Sequence, residues 1–131
     1  MRLLIDTHIF LWFVNNPKEL DSAIRKTIED RNNSILVSIA SIWELSIKTA
    51  RGKLEIDGGF ERVEYDLNIN SFGILPITFR HTLRQNQLPF HHKDPFDRMI
   101  AAQALVEGID VVSSDGVFDL YFENSEVKRK W

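Results

Sequence analysis

Short apolar runs separated by helix-patterned stretches constrain this chain more than any other feature of it. Arg2 to Ile5, Ser34 to Val37 and Ile109 to Val112 read as strands buried on both faces. Gly73 to Ile77 reads as a further strand, with Pro76 marking a sheet edge. Between them, Leu20, Ile24 and Ile28 fall at helical spacing, so a helix is expected over Asp21 to Arg31, broken by Asn32-Asn33. Ser38 is a good N-cap for a helix from Ile39 to about Arg51, and Gly52 is placed to end it. After a turn at Asp57-Gly58-Gly59, Phe60, Val63 and Leu67 predict another helix, and Thr78 is placed to cap one through Leu88. Asp94-Pro95 opens a helix that runs to Glu107 and stops at Gly108. Val117 to Phe122 fits helix or strand, and the basic stretch ending Lys128-Arg129-Lys130-Trp131 fits an edge strand or a loose tail. Strands that alternate with helices need crossover connections, which make a mainly parallel sheet covered on both faces.

With 131 residues, no repeat and no linker, one domain over residues 1–131 is expected. Cysteine is absent, which excludes disulfides, thiolate zinc sites and cysteine nucleophiles. The net charge of −3 argues against a protein that coats nucleic acid through a basic face, though not against an enzyme that grips a short stretch of it. Asp6 and His8 interrupt the apolar opening, and Ile9 to Val14 is too short to span a bilayer. The expectation is a cytoplasmic protein without a membrane anchor.

In parallel α/β sheets, ligands bind beyond the carboxyl ends of the strands. Asp6 and Asp115 fall just past such ends, and Glu44 and Asp97 fall in the opening turns of helices. Singly, each has an ordinary reading: Asp6 and Asp115 as turn formers or caps, Asp97 as a partner for the helix dipole, Glu44 as a solvated residue. Together they would repel strongly, since two carboxylates about 4 Å apart cost roughly 4 kcal/mol at an effective dielectric near 20. A cation between them removes that cost. Oxygen-only ligands suit Mg²⁺ or Mn²⁺ rather than zinc, and such an ion activates water against a phosphodiester.

At these residues the chain resembles the PIN-domain family. The opening Leu4-Ile5-Asp6-Thr7-His8-Ile9-Phe10-Leu11-Trp12 carries the first signature, and Ser38 to Lys48 followed by Gly52-Lys53-Leu54 carries the second. Leu88-Pro89-Phe90-His91-His92-Lys93-Asp94-Pro95-Phe96-Asp97-Arg98 and Val112-Ser113-Ser114-Asp115 complete the order. The resemblance implies an αβα sandwich with a four- to five-stranded sheet, and a Mg²⁺- or Mn²⁺-dependent endoribonuclease. It looks most like the toxin half of VapBC-type bacterial toxin–antitoxin pairs, which implies an RNA substrate, a cognate antitoxin and a homodimer. By match to the motifs, Asp6, Glu44, Asp97 and Asp115 are the metal-site carboxylates, with Thr7 and Ser113 as supporting hydroxyls. Asp115 is the member expected to act at longer range.

Other α/β folds with clustered acids fit the sequence less well. A receiver domain would need adjacent early acids and a late lysine, and a haloacid-dehalogenase-type phosphatase would need a second Asp where His8 stands. A catalytically silent scaffold on the same fold is the alternative, and the intact acid set argues against it. His91 and His92 read as surface-loop residues with an option on RNA, and His8 and His81 show no zinc-ligand spacing with them. Lys48, Arg51, Lys53, Lys93 and Arg98 offer local positive charge, and Arg98 has the option of pairing with an acid inside the domain. Trp12 and Trp43 are expected to fill the core or a dimer interface.

Overall fold

The computed structural model describes residues 1–131. Five strands form one sheet in the order β3-β2-β1-β4-β5, and every neighbouring pair is parallel. The strands are β1 (Arg2–Ile5), β2 (Ser34–Ser38), β3 (Gly73–Leu75), β4 (Asp110–Val112) and β5 (Arg129–Lys130). Ile5 lies beside Val37 on one side and Val112 on the other. Side chains alternate across a strand, so Leu3 and Ile5 enter one core layer and Leu4 the other. All three are fully buried, each contributing about 2 kcal/mol.

Helices α1 (Thr7–Asn15), α2 (Ser22–Glu29), α3 (Ile39–Ala50) and α4 (Val63–Ile69) supply the first layer through Ile9, Phe10, Ile24, Ile28, Leu45, Val63 and Leu67. Helices α6 (Pro95–Glu107) and α7 (Val117–Tyr121) supply the second through Ile100, Ala101, Ala104, Phe118 and Tyr121. Between them in sequence, α5 (Phe79–Gln87) is joined to α6 by the buried His81, whose Nε2 lies 2.9 Å from Glu107. The expected αβα sandwich is therefore the observed one, with five strands.

Local chemistry explains most boundaries. Ser38 caps α3 by accepting the Ala40 N–H, Asp94 caps α6 with Pro95 at its first position, and Gly108 takes the left-handed conformation (φ 66°) that ends it. Three elements were left open by the sequence and are settled by the fold. The run Ile9 to Val14 is part of α1, capped by Asp6 through the Ile9 N–H. Val117 to Phe122 resolves as a helix ending at Tyr121. The basic tail is not loose: Val111 and Ser113 donate to the carbonyls of Lys128 and Lys130, which makes β5 an edge strand.

Arg98 is a correction as well. Its guanidinium, in a residue only 2% exposed, meets no acid but donates to the carbonyls of Gln85, Leu88 and Pro89. It thereby closes the loop between α5 and α6 over the core. Replacing it takes the guanidinium from the Leu88 and Pro89 carbonyls and leaves Gln85 only the Leu88 N–H, so Arg98→Met is expected to cost about 2 kcal/mol in urea unfolding, with little change in m-value.

Candidate active site

The chain winds from β1 outward through β2 to β3, then crosses back to place β4 on the other side of β1. This reversal opens a crevice between the carboxyl ends of β1 and β4. Asp6 follows β1 directly, and its N–H donates to the Val112 carbonyl at 3.1 Å. It is 3% exposed, with one oxygen accepting the Ile9 N–H at 2.9 Å. Burial pushes its carboxyl above the usual range, against the pull of the Ser113 side chain and the Ile9 N–H.

Asp97, in the first turn of α6, lies at the electrostatic centre. Burial, followed by the charges of Asp94, Asp6, Glu44 and Asp115, pushes its carboxyl up to about 8. A metal-free cluster therefore holds a proton at neutral pH. Glu44 sits on the second turn of α3 and is 2% exposed, which overturns its reading as a solvated residue. One of its oxygens accepts from Lys48 a turn later. That carboxylate holds the Lys48 ammonium above its usual range, and the charges of Asp94 and Asp97 add to the effect.

Asp115 is farther out, its side chain 45% exposed. It accepts the Val117 N–H on Oδ1, and its own N–H donates to Ser113 Oγ at 3.0 Å. The loop that carries it is pinned by Arg129, which donates to the Ser113 carbonyl and pairs with Asp119. The sequence-expected acids are thus brought to one crevice, with Ser113 against Asp6. Thr7 is adjacent, but its hydroxyl donates to Ser41 rather than to a carboxylate.

Two further residues join the cluster. Asp94 is the helix cap its sequence position predicts: Oδ1 accepts the Phe96 and Asp97 N–H groups. Its charge nonetheless raises Asp97, and its carboxylate lies within 4.8 Å of the ligand atoms of His92 and Asp97. His92, expected as a surface-loop histidine, has its Nε2 3.1 Å from Asp97 and 3.4 Å from Asp115. No sequence spacing distinguishes it from His91. Trp43, expected in the core or an interface, is 60% exposed with its ring edge against Phe96.

A cleft of about 460 Å³ opens beside the cluster. Thr7 and Glu44 line it, and it follows one face of α1 past Leu11 and Trp12 to Asn16, with Lys48 and Leu54 on the facing side.

Carboxylates thus gather at the switch point of a parallel α/β sandwich. The chain belongs to the PIN-domain family, whose model matches residues 3–121. No curated protein matches it in sequence. Among solved structures, VapBC2 from Rickettsia felis, bound to a DNA fragment from its promoter, matches with a TM-score of 0.75 at 19% identity, over 100% of this chain and 99% of that one. VapBC-1 from nontypeable Haemophilus influenzae gives 0.69 at 18% identity, covering 99% and 97%. VapBC-5 of Mycobacterium tuberculosis, described as a member of the VapBC family of toxin–antitoxin systems, gives 0.65 at 17%, covering 98% and 96%. At such identities these likenesses concern the fold. No helix of the chain is long and apolar enough to cross a membrane.

Proposed function

We propose that this chain, acting as one PIN-like domain over residues 1–131, is an endoribonuclease and the toxin of a bacterial toxin–antitoxin pair. In this reading Asp6, Glu44, Asp97 and Asp115 are the metal-site carboxylates, and Mg²⁺ or Mn²⁺ is the cofactor. The observation that carries it is the convergence on Asp97, whose carboxyl is raised first by burial and then by four acidic neighbours, with a single ammonium, Lys48, on Glu44 beside them. The donor set is oxygen from carboxylates, as a hard divalent cation requires. Asp6, Glu44 and Asp97, all buried, would hold it directly. Asp115, with one oxygen capping α7 and the other beside His92, would act at longer range. The bound ion supplies activation of water and neutralises charge on the scissile phosphate.

The protein's own groups do the rest. Ser113 steadies Asp6, and Thr7 with Ser41 fixes the wall of the crevice where α1 meets α3. Lys48, 44% exposed, is placed to leave Glu44 for a phosphate oxygen once a cation takes up the acidic charge. The cleft along α1 offers an RNA strand Trp12 and Leu54 for base contact beside the reacting centre.

The likeness to VapBC structures supports an antitoxin as partner, and a homodimer is in keeping with the exposed apolar surface. Ile69, Ile74, Phe79 and Leu83 are 61%, 48%, 80% and 47% exposed around the sheet edge at β3. Such a surface favours self-association. Phe79→Arg with Leu83→Arg is expected to convert a dimer to a monomer in light scattering, leaving the melting transition of the subunit nearly unchanged.

The test of the function is incubation of the purified chain with labelled single-stranded RNA, folded tRNA and DNA, in Mg²⁺, Mn²⁺ or EDTA. RNA cleavage that EDTA abolishes is expected. DNA cleavage alone, or RNA cleavage indifferent to EDTA, would overturn the assignment. Metal binding without cleavage of any substrate would favour the scaffold reading.

A further inference from the structure

His92 lies in the loop before α6, and its imidazole is held on two sides. Nδ1 accepts the backbone N–H of Asp94 at 3.2 Å. The loop itself is anchored by the His92 N–H, which donates to the Tyr121 hydroxyl at 2.9 Å. A ring nitrogen that accepts an amide N–H carries no proton, so the neutral imidazole has its proton on Nε2. That Nε2 faces Oδ2 of Asp97 at 3.1 Å and Oδ2 of Asp115 at 3.4 Å.

One N–H therefore spans two carboxylates from different elements: the first turn of α6 and the loop after β4. The side chain is only 26% exposed. His91, its neighbour in sequence, is exposed and packs edge-on against Tyr121 instead. Asp115 has its other oxygen on the Val117 N–H, so both its oxygens are held in place. For Asp97, only Oδ2 is engaged by His92.

We propose that His92 is a positioning residue, whose Nε2–H ties Asp97 Oδ2 to Asp115 Oδ2 so that the acid cluster is set for a divalent cation before one arrives. The proposal rests on reading the cluster as a metal site. It assigns the cation to the Asp97 oxygen that His92 leaves open, and it uses the neutral imidazole. Groups that donate to the far side of ligand carboxylates orient them, and their loss weakens metal binding without removing a ligand. The opposite role is physically distinct: an imidazole that merely fills the cation's place would compete with it, and its removal would tighten binding.

Calorimetric titration of Mn²⁺ into the full chain at fixed neutral pH separates these cases, using wild type, His92→Ala, His92→Gln and His92→Asn, each checked by melting. His92→Ala is expected to bind Mn²⁺ roughly 10- to 100-fold more weakly. His92→Gln, whose terminal amide can supply an N–H where Nε2 stood, should recover most of that loss. His92→Asn keeps a group that can reach the Asp94 N–H but is too short to bridge, and should behave like the alanine variant. It also decides the matter if the alanine variant fails to fold. Wild-type or tighter affinity in the alanine or asparagine variant overturns the proposal. Absence of Mn²⁺ binding in the wild type itself sinks the metal-site reading, a failure visible before any variant is compared.

Discussion

Asp97→Asn is expected to lower RNA cleavage by roughly 10³-fold while making the metal-free protein more stable at alkaline pH. The two effects have one cause. Asp97 is raised from 3.8 to about 8 in the folded chain, first by burial and then by four acidic neighbours. A folded-state value above the unfolded one means that the folded protein holds a proton the unfolded chain has already released. The stability contributed by this group is complete below about pH 4 and is lost as pH rises through about 8. Asparagine keeps the shape and discards the charge, so the variant escapes that loss. Its advantage over wild type in metal-free urea unfolding should be near zero at pH 4 and on the order of 3 kcal/mol at pH 8.5. Wild-type activity in the variant, or equal stability at both pH values, would show that Asp97 is an ordinary helix-dipole residue.

Millimolar Mn²⁺ should raise the melting temperature of the wild type by roughly 5–10 °C at pH 8, and by much less at pH 5. The cation must displace the proton shared by the cluster, so its binding tightens as pH rises through the range in which Asp97 ionises. The sign is opposite to that of the metal-free protein, whose stability falls over the same interval. Metal addition thus flattens the fall of stability with pH, because the metal-bound fold and the unfolded chain carry the same number of protons at this group, and differential scanning calorimetry at the two pH values measures it. An equal increment at both, or in Asp97→Asn as well as wild type, would place the ion elsewhere.

Residues whose role is local were legible in the sequence. Ser38, Asp94 with Pro95, and Gly108 mark helix ends through their own chemistry, and the structure uses each as expected. The strand ends that carry Asp6 and Asp115 were legible because apolar runs stop there. What was hidden depends on contacts far along the chain. Helix α1 escaped because its apolar run, Ile9 to Val14, is buried or half-buried throughout and shows no helical period. Strand β5 is two residues long and exists through its pairing with β4. Glu44 looked solvated because it lies off the apolar stripe of α3; it is buried in the crevice where α3 meets α1 and α6. Asp94 had a sufficient explanation as a cap, and His92 had no spacing to set it apart from His91. Only the folded loop shows them within reach of Asp97.

The most direct test of the central claim is an anomalous difference map from crystals of the protein grown with Mn²⁺. The account predicts a peak in the crevice between β1 and β4, in contact with carboxylate oxygens of Asp6, Glu44 and Asp97. A crevice without a peak, with Lys48 still on Glu44, would contradict it and leave the cluster a network balanced by its own proton and the Lys48 ammonium.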